Sequence, residues 1–365
     1  MKTVLIAFGT RPEAIKMCPV IKSLKNIERI NVKILVTGQH KTMLYEVLES
    51  AGIVADYDLA IMKEGQTLSY VTSKVLYKTE AVIKELLPDA VLVHGDTSSA
   101  FAVALCAFYM GIKIFHIEAG LRTYDMLNPF PEEFNRRAIS LICDYHFAPT
   151  EEARLNLINE GVKEKNIFIT GNTAIDALVE NIRSDFSHPL ISENEKIIII
   201  TIHRRENQND FLREIFYAVK QVAKKHKNVK IIYPMHKNEK IRRIAKSIFS
   251  DVKNVHLTEP LSPFVFHNFL NNSYFVITDS GGIQEEVSFL GKPIILVRKC
   301  TERKELLSYK CLKVIYDPEQ IVCEADKLLL NSQYYKNSSV SVKIFGEGDA
   351  ALKMADVIKK ILVPE

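Results

Sequence analysis

Three carboxylates, an imidazole and several cations sit in short polar stretches between apolar runs. They are Asp96 in "HGDT", Glu118 in "HIEAG", Glu132 in "PFPEEF", His203 in "IHRRE", Arg11 and Lys16 in "GTRPEAIK", and Arg303 in "CTERKE". Carboxylates and imidazoles take up and return protons, and cations beside them hold an anionic group, which is the equipment of acid–base chemistry. A further stretch, "TDSGGIQEEVSFLGKP" from Thr278 to Pro293, joins an apolar run to a helical pattern through Ser280, Gly281 and Gly282. Two glycines there let backbone amides approach a ligand and permit positive φ. The start of the following helix offers N–H groups and a partial positive charge that suit a phosphate. Ile283, Val287 and Leu290 read as the buried stripe of that helix, with Glu286 on its edge and Glu285 pointing away. A partly buried carboxylate needs a partner, and the two hydroxyls of a ribose would serve Glu286.

Each of these residues also has a plainer reading. Asp96 can cap the helix that follows it, and Glu132 can complement a helix dipole. His203 can be a loop or core histidine, and Arg11 and Lys16 can be solvated. What weighs against the plain readings is recurrence. Charged groups follow apolar runs at the same sheet edge in both halves of the chain, and open parallel sheets bind ligands at the carboxyl ends of their strands. Dinucleotide, Walker-type and G-x-S-x-G patterns do not occur, and no His, Cys or Asp cluster has zinc spacing.

The elements that must position these residues are short apolar runs alternating with longer helical patterns. In the first half the runs are Thr3–Phe8, Val32–Thr37, Ala90–His94, Ile112–Ile117, Tyr145–Ala148 and Ile167–Thr170. In the second they are Lys196–Thr201, Val229–Tyr233, Val255–Leu257, Tyr274–Thr278, Pro293–Val297 and Leu312–Ile315. Continuous β-branched runs separated by helices indicate parallel strands covered on both faces, and two sets of six predict two doubly wound α/β domains. The boundary is placed between Asn172 and Glu195, giving domains 1–172 and 173–349, with the amphipathic 350–365 packing back on the first. In the helix after the first strand, Ala14, Met17, Cys18, Ile21 and Leu24 form one apolar face. In the helix opening at Pro131, Phe134, Ala138, Leu141 and Ile142 are expected inward.

Composition sets the class. The chain has 365 residues, 47% hydrophobic and 25% charged, which is ordinary globular usage with room for about two domains. A net charge of +4 with no basic block argues against a nucleic-acid partner. No apolar stretch reaches the length a membrane span needs, so no membrane partner is expected. Six scattered cysteines without a CxxC pair fit a reducing, cytoplasmic compartment.

The motifs "FGTRPEAIKM", "VTGQH", "LVHGDT", "HIEAGLRT", "PFPEEFNRR", "ITGNTAIDAL", "HRREN", "TDSGGIQEE" and "TER" occur in this order. Together they make the chain resemble the bacterial non-hydrolysing UDP-N-acetylglucosamine 2-epimerases over nearly its whole length. The resemblance implies two Rossmann-like domains facing each other across a cleft, as in the GT-B fold. It implies a homodimer and reversible conversion of UDP-GlcNAc and UDP-ManNAc, with a UDP-sugar as the partner and without NAD, metal or other cofactor. It assigns Asp96, Glu118, Glu132 and His203 to catalysis. Arg11, Lys16, Phe266, Ser280, Gly281, Gly282, Glu286 and Arg303 fall to substrate binding. Gln39 matches the residue with which many members bind a second UDP-GlcNAc as activator. Thr42 and Gly65 stand where related members often carry Gln and Arg, so weakened activation is the expectation. A hydrolysing epimerase, a 2-epimerase of a 6-deoxy UDP-sugar and a GT-B glycosyltransferase are the alternatives.

Overall fold

Runs of Val, Ile and Leu with few polar interruptions build two wholly parallel sheets, each covered by helices on both faces. The computed structural model describes residues 1–38, 41–63, 65–191, 195–202, 210–235, 238–299 and 301–364. The chain divides into two compact units, one of Met1–Val179 with Ile344–Glu365, the other of Glu180–Lys343.

The first unit runs β1 (Lys2–Phe8), α1 (Arg11–Lys25), β2 (Ile30–Val36), α2 (Lys41–Ser50), β3 (Tyr57–Asp58), α3 (Leu68–Leu86), β4 (Ala90–His94), α4 (Ser98–Tyr109), β5 (Lys113–Ile117), α5 (Glu132–Ile142), β6 (Tyr145–Ala148), α6 (Glu151–Asn159) and β7 (Ile167–Ile169). Its strand order is β3-β2-β1-β4-β5-β6-β7. Six of these strands match the expected runs. The seventh, β3, has two residues, too few for any periodicity to register.

Helix α7 (Thr173–Asn181) leads into the second unit, which holds β8 (Lys196–Thr201), α8 (Asp210–Lys225), β9 (Val229–Pro234), α9 (Glu239–Phe249), β10 (Val255–Thr258), α10 (Pro263–Asn271), β11 (Phe275–Thr278), α11 (Gly281–Phe289), β12 (Ile294–Val297), β13 (Leu312–Ile315), α12 (Pro318–Leu330) and α13 (Ser332–Ser338). Its order is β10-β9-β8-β11-β12-β13. Counted within its own unit, each sheet therefore contains the order 3-2-1-4-5-6 of doubly wound folds.

The last helix, α14 (Ala350–Leu362), belongs to the first core. Ala351, Met354, Ala355, Ile358 and Leu362 join Ala14, Met17, Cys18 and Ile21 of α1 in one apolar cluster. Its start is held by Asp176 of α7, whose carboxylate accepts from the amides of Ala351 at 2.7 Å and Ala350 at 3.3 Å. Burial raises the Asp176 pKa, opposed by those two amides.

Two helices turn differently from expectation, for one physical reason. On α5 the buried residues are Glu133, Asn135, Arg136, Ile139 and Ser140, whereas Phe134 and Leu141 are exposed. On α11 they are Gly281, Gln284, Glu285, Val287 and Ser288. Ile283 and Leu290 are half-buried, and Glu285 does not point away. Both helices bury charge against charge, so hydrophobicity does not identify their inward face.

Candidate functional site

In the first unit the polar residues gather after β1, β4 and β5. The turn after β1 is closed by its own helix. Glu13 Oε2 accepts from the amides of Gly9 at 3.0 Å and Thr10 at 2.8 Å and from the Thr10 hydroxyl at 2.8 Å, a capping box. Its Oε1 accepts from the Thr97 hydroxyl at 2.8 Å. Only glycine fits at Gly9, because a Cβ there would lie 2.1 Å from Thr37 Oγ1. Arg11 opens α1, and burial lowers its pKa against the raising influence of Glu46. Lys16 is one turn further along, and its Nζ lies 2.5 Å from Glu118 Oε2.

Glu118 follows β5 with φ of +62°, a left-handed conformation that a residue with a side chain adopts only where its surroundings enforce it. Its carboxylate is nearly buried between Lys16 and His94, whose Nε2 is 3.1 Å from the same Oε2. Behind it, His116 and His146 face each other across β5 and β6. Burial pushes their pKa values down to about 3 and about 4, so both rings are neutral at pH 7.

Asp96 does not cap α4. That position is Thr97, whose hydroxyl accepts from the Ala100 amide at 3.0 Å. Instead the Asp96 carboxylate meets α5, with Arg136 Nη2 at 2.5 Å and Nε at 3.1 Å from Oδ2. Glu132 is the first residue of α5 and is half-buried. Asp96, Glu118 and Lys16 are thus tied into one group of elements, and α5 carries Glu132 into the same group.

In the second unit, Ser280 is the N-cap of α11 and makes no side-chain cap hydrogen bond. Neither Gly281 nor Gly282 has positive φ, so conformational freedom is not what requires them. Their roles differ. A Cβ on Gly281 would meet Glu302 Oε1 at 2.7 Å and Arg303 Nη1 at 2.8 Å, whereas a Cβ on Gly282 would enter open space. Protein packing requires the first glycine and places no constraint on the second. Beneath the turn lies a buried row of alternating charges. Arg298 donates to Glu302 at 2.7 Å, and Arg303 donates to Glu302 at 2.7 Å and to Glu285 at 2.7 Å. Glu286, 13% exposed, lies 3.8 Å from His267 Nε2. Phe266 is half-buried on α10.

His203 and Gln39 lie outside the described residues. Sequence reasoning did not single out Arg136, Glu133, His94, Glu285 or Glu302 as partners in these groups. Glu133 and Arg136 are spaced i, i+3, which is a readable ion-pair signal. The partners of Asp96 and Glu118 lie 40 and 102 residues away, beyond any local pattern. Among the described residues no group of three or more His, Cys, Asp or Glu could hold a metal ion, and no helix is long and apolar enough to cross a membrane.

A family model described as UDP-N-acetylglucosamine 2-epimerase matches residues 22–359. A Bacillus subtilis UDP-N-acetylglucosamine 2-epimerase is 44% identical over 97% of this chain and 94% of its own. Among solved structures, UDP-GlcNAc 2-epimerase from Neisseria meningitidis bound to UDP-GlcNAc superposes with a TM-score of 0.94, at 39% identity over 98% of this chain and 100% of that one. Staphylococcus aureus MnaA with UDP gives 0.94 at 40% identity over 100% and 98%.

Proposed function

Because the chain belongs to the UDP-N-acetylglucosamine 2-epimerase family, we propose that it interconverts UDP-N-acetylglucosamine and UDP-N-acetylmannosamine with the nucleotide retained. The C2 hydrogen of such a sugar is not next to a carbonyl and resists direct removal. Breaking the C1–O bond sends its electron pair to the diphosphate and builds positive charge at C1, which acidifies C2–H. A carboxylate takes that proton, the C1–C2 double bond forms, and UDP and a 2-acetamidoglucal result. A proton delivered to the opposite face of C2, with the diphosphate oxygen returning to C1, completes the inversion.

The observation that carries this reading is the group of Asp96 and Glu118, each against a basic side chain, on elements shared with Glu132. We assign proton removal and return to these three. Lys16 and Arg11 serve the developing negative charge of the leaving group. In the second unit we assign the diphosphate to the start of α11, at Ser280, Gly281 and Gly282, and the ribose to Glu286. Arg303, already engaged by Glu285 and Glu302, holds that turn in place. Phe266 is assigned to the uracil side, and His203 to the phosphate or a sugar hydroxyl.

NMR of UDP-GlcNAc with the protein in D2O tests the reading. The expected result is UDP-ManNAc in equilibrium with UDP-GlcNAc, both carrying deuterium at C2. Unlabelled product would overturn the elimination, and free ManNAc with UDP would replace the reading by hydrolysis. UDP-ManNAc supplied alone should also react, with no lag removed by added UDP-GlcNAc, if activation through the Gln39 region is weakened.

The same reading extends to a cytoplasmic homodimer supplying an activated sugar for cell-surface polysaccharide. Support for self-association comes from Tyr77 on α3, Phe108 and Tyr109 on α4, and Phe134 and Leu141 on α5, all exposed apolar residues on helices of the first unit. Sedimentation should give a dimer that Leu141→Glu weakens.

A further inference from the structure

We propose that Arg136 is a positioning residue that fixes Asp96 for reaction, resting on the assignment of Asp96 to the proton chemistry above. Four observations converge on it. Both Nε and Nη2 of Arg136 reach the same oxygen, Oδ2, of Asp96, at 3.1 and 2.5 Å. Its third contact is Nη1 to Glu133 Oε2 at 3.3 Å. Glu133 is fully buried and also accepts from the amides of Thr123 at 3.0 Å and Tyr124 at 3.0 Å. The neighbouring Asn135 donates to the Asp96 carbonyl at 2.8 Å, so side chain and backbone of Asp96 are both held by α5.

The geometry has a specific consequence. Both donors of the guanidinium edge meet one oxygen, Oδ2, and the Asp96 side chain is 28% exposed while Arg136 is 5% exposed. The carboxylate is therefore gripped through Oδ2 by a buried cation while its side chain keeps partial access to the surface. Three N–H groups used at fixed angles make this a task for arginine; a lysine ammonium is a point donor on a flexible stem and cannot grip Oδ2 and Glu133 together in the same way. The clamp also sits on the helix whose first residue is Glu132. One rigid element thereby carries one proposed acid–base residue and orients another, which sets their mutual geometry. Glu133 is the anchor of that arrangement, because it ties Arg136 to the segment at Thr123 and Tyr124, where Tyr124 takes φ of +62°.

The test compares Arg136→Met and Arg136→Lys in the wild-type and Asp96→Asn backgrounds, with UDP binding measured by calorimetry to report the folded state. Arg136→Met is expected to lower kcat by ~10–100-fold, within the range of misplacing an acid–base group. KM for the UDP-sugar and affinity for UDP should stay within about threefold, and Arg136→Lys should recover only part of kcat. In the Asp96→Asn background the same change should lower the residual rate no further, because residues acting through one group are non-additive. Losses that multiply across the two backgrounds, or a folded Arg136→Met with wild-type kcat, overturn the proposal. If Arg136→Met does not bind UDP, Arg136→Lys carries the same comparison. Wild-type protein that leaves C2 unlabelled in D2O would instead refute the functional reading itself, so the two failures are distinct.

Discussion

Helices α4 and α11 occupy the same place in two sheets of the same topology, each following the fourth strand of its unit, yet their starts are built differently. The start of α4 is closed. Thr97 caps the Ala100 amide, its hydroxyl also reaches Glu13, and the residue before it is the carboxylate Asp96. The start of α11 has no side-chain cap on Ser280 and opens with Gly281 and Gly282. A doubly wound sheet directs ligands toward these strand ends. On the proposed reading, the residues at the turn decide which part of a ligand is received, the reacting carbon at one and the diphosphate at the other.

The largest effects should come from the carboxylates. Asp96→Asn, Glu118→Gln and Glu132→Gln are each expected to lower turnover by ~10²–10⁴-fold, as for acid–base groups generally, with UDP affinity kept. Near-normal turnover in one of them would remove that residue from the first half of the comparison.

Acid should cost the first unit more than the second, where burial lowers the pKa of His256 as well. His116 and His146 stay neutral in the fold down to about 3 and about 4 because they are buried. An unfolded histidine is protonated below about 6.5, so the unfolded chain binds more protons and stability falls as pH drops through that window. Between pH 6.5 and 5 the loss should be about 2 kcal/mol per histidine, levelling off once the folded rings protonate. Hydrogen exchange should show β5 and β6 losing protection first, and His146→Phe should make the pH slope shallower by about one proton. Loss beginning in β11 and β12 would contradict this.

Gly282→Ala should weaken UDP binding by ~10-fold while leaving the melting temperature unchanged or raised, since alanine favours a helix by about 1 kcal/mol over glycine. Gly281→Ala should instead lower the melting temperature, because its methyl meets Glu302 and Arg303. Unaltered UDP affinity in Gly282→Ala would mean that the open turn does not receive the diphosphate. The smallest effect is expected from Thr97→Ala, which removes the α4 cap at a cost of about 1 kcal/mol in chemical denaturation and leaves UDP affinity alone.

Much of the fold was legible because uninterrupted β-branched runs are strong signals: β4, β6, β8 and β13 have the expected limits. The places of Asp96, Glu118 and Ser280–Gly282 were legible too, because each directly follows such a run. What was not legible is how charges pair. Reading Phe134, Leu141 and Ile283 as inward follows from hydrophobicity, but α5 and α11 turn Glu133, Arg136 and Glu285 inward because buried cations and anions satisfy each other there. The left-handed backbone of Glu118 likewise leaves no mark in "HIEAG", nor do the contacts of its carboxylate with Lys16 and His94.

The return of α14 to the first core bears on how the chain is made. The second unit is one unbroken segment, whereas the first needs residues from both sides of it. During synthesis the face of α1 formed by Ala14, Met17, Cys18 and Ile21 lacks its α14 partner until Ala350–Leu362 is made. The half that is translated first therefore cannot close its core until the end of the chain has been made.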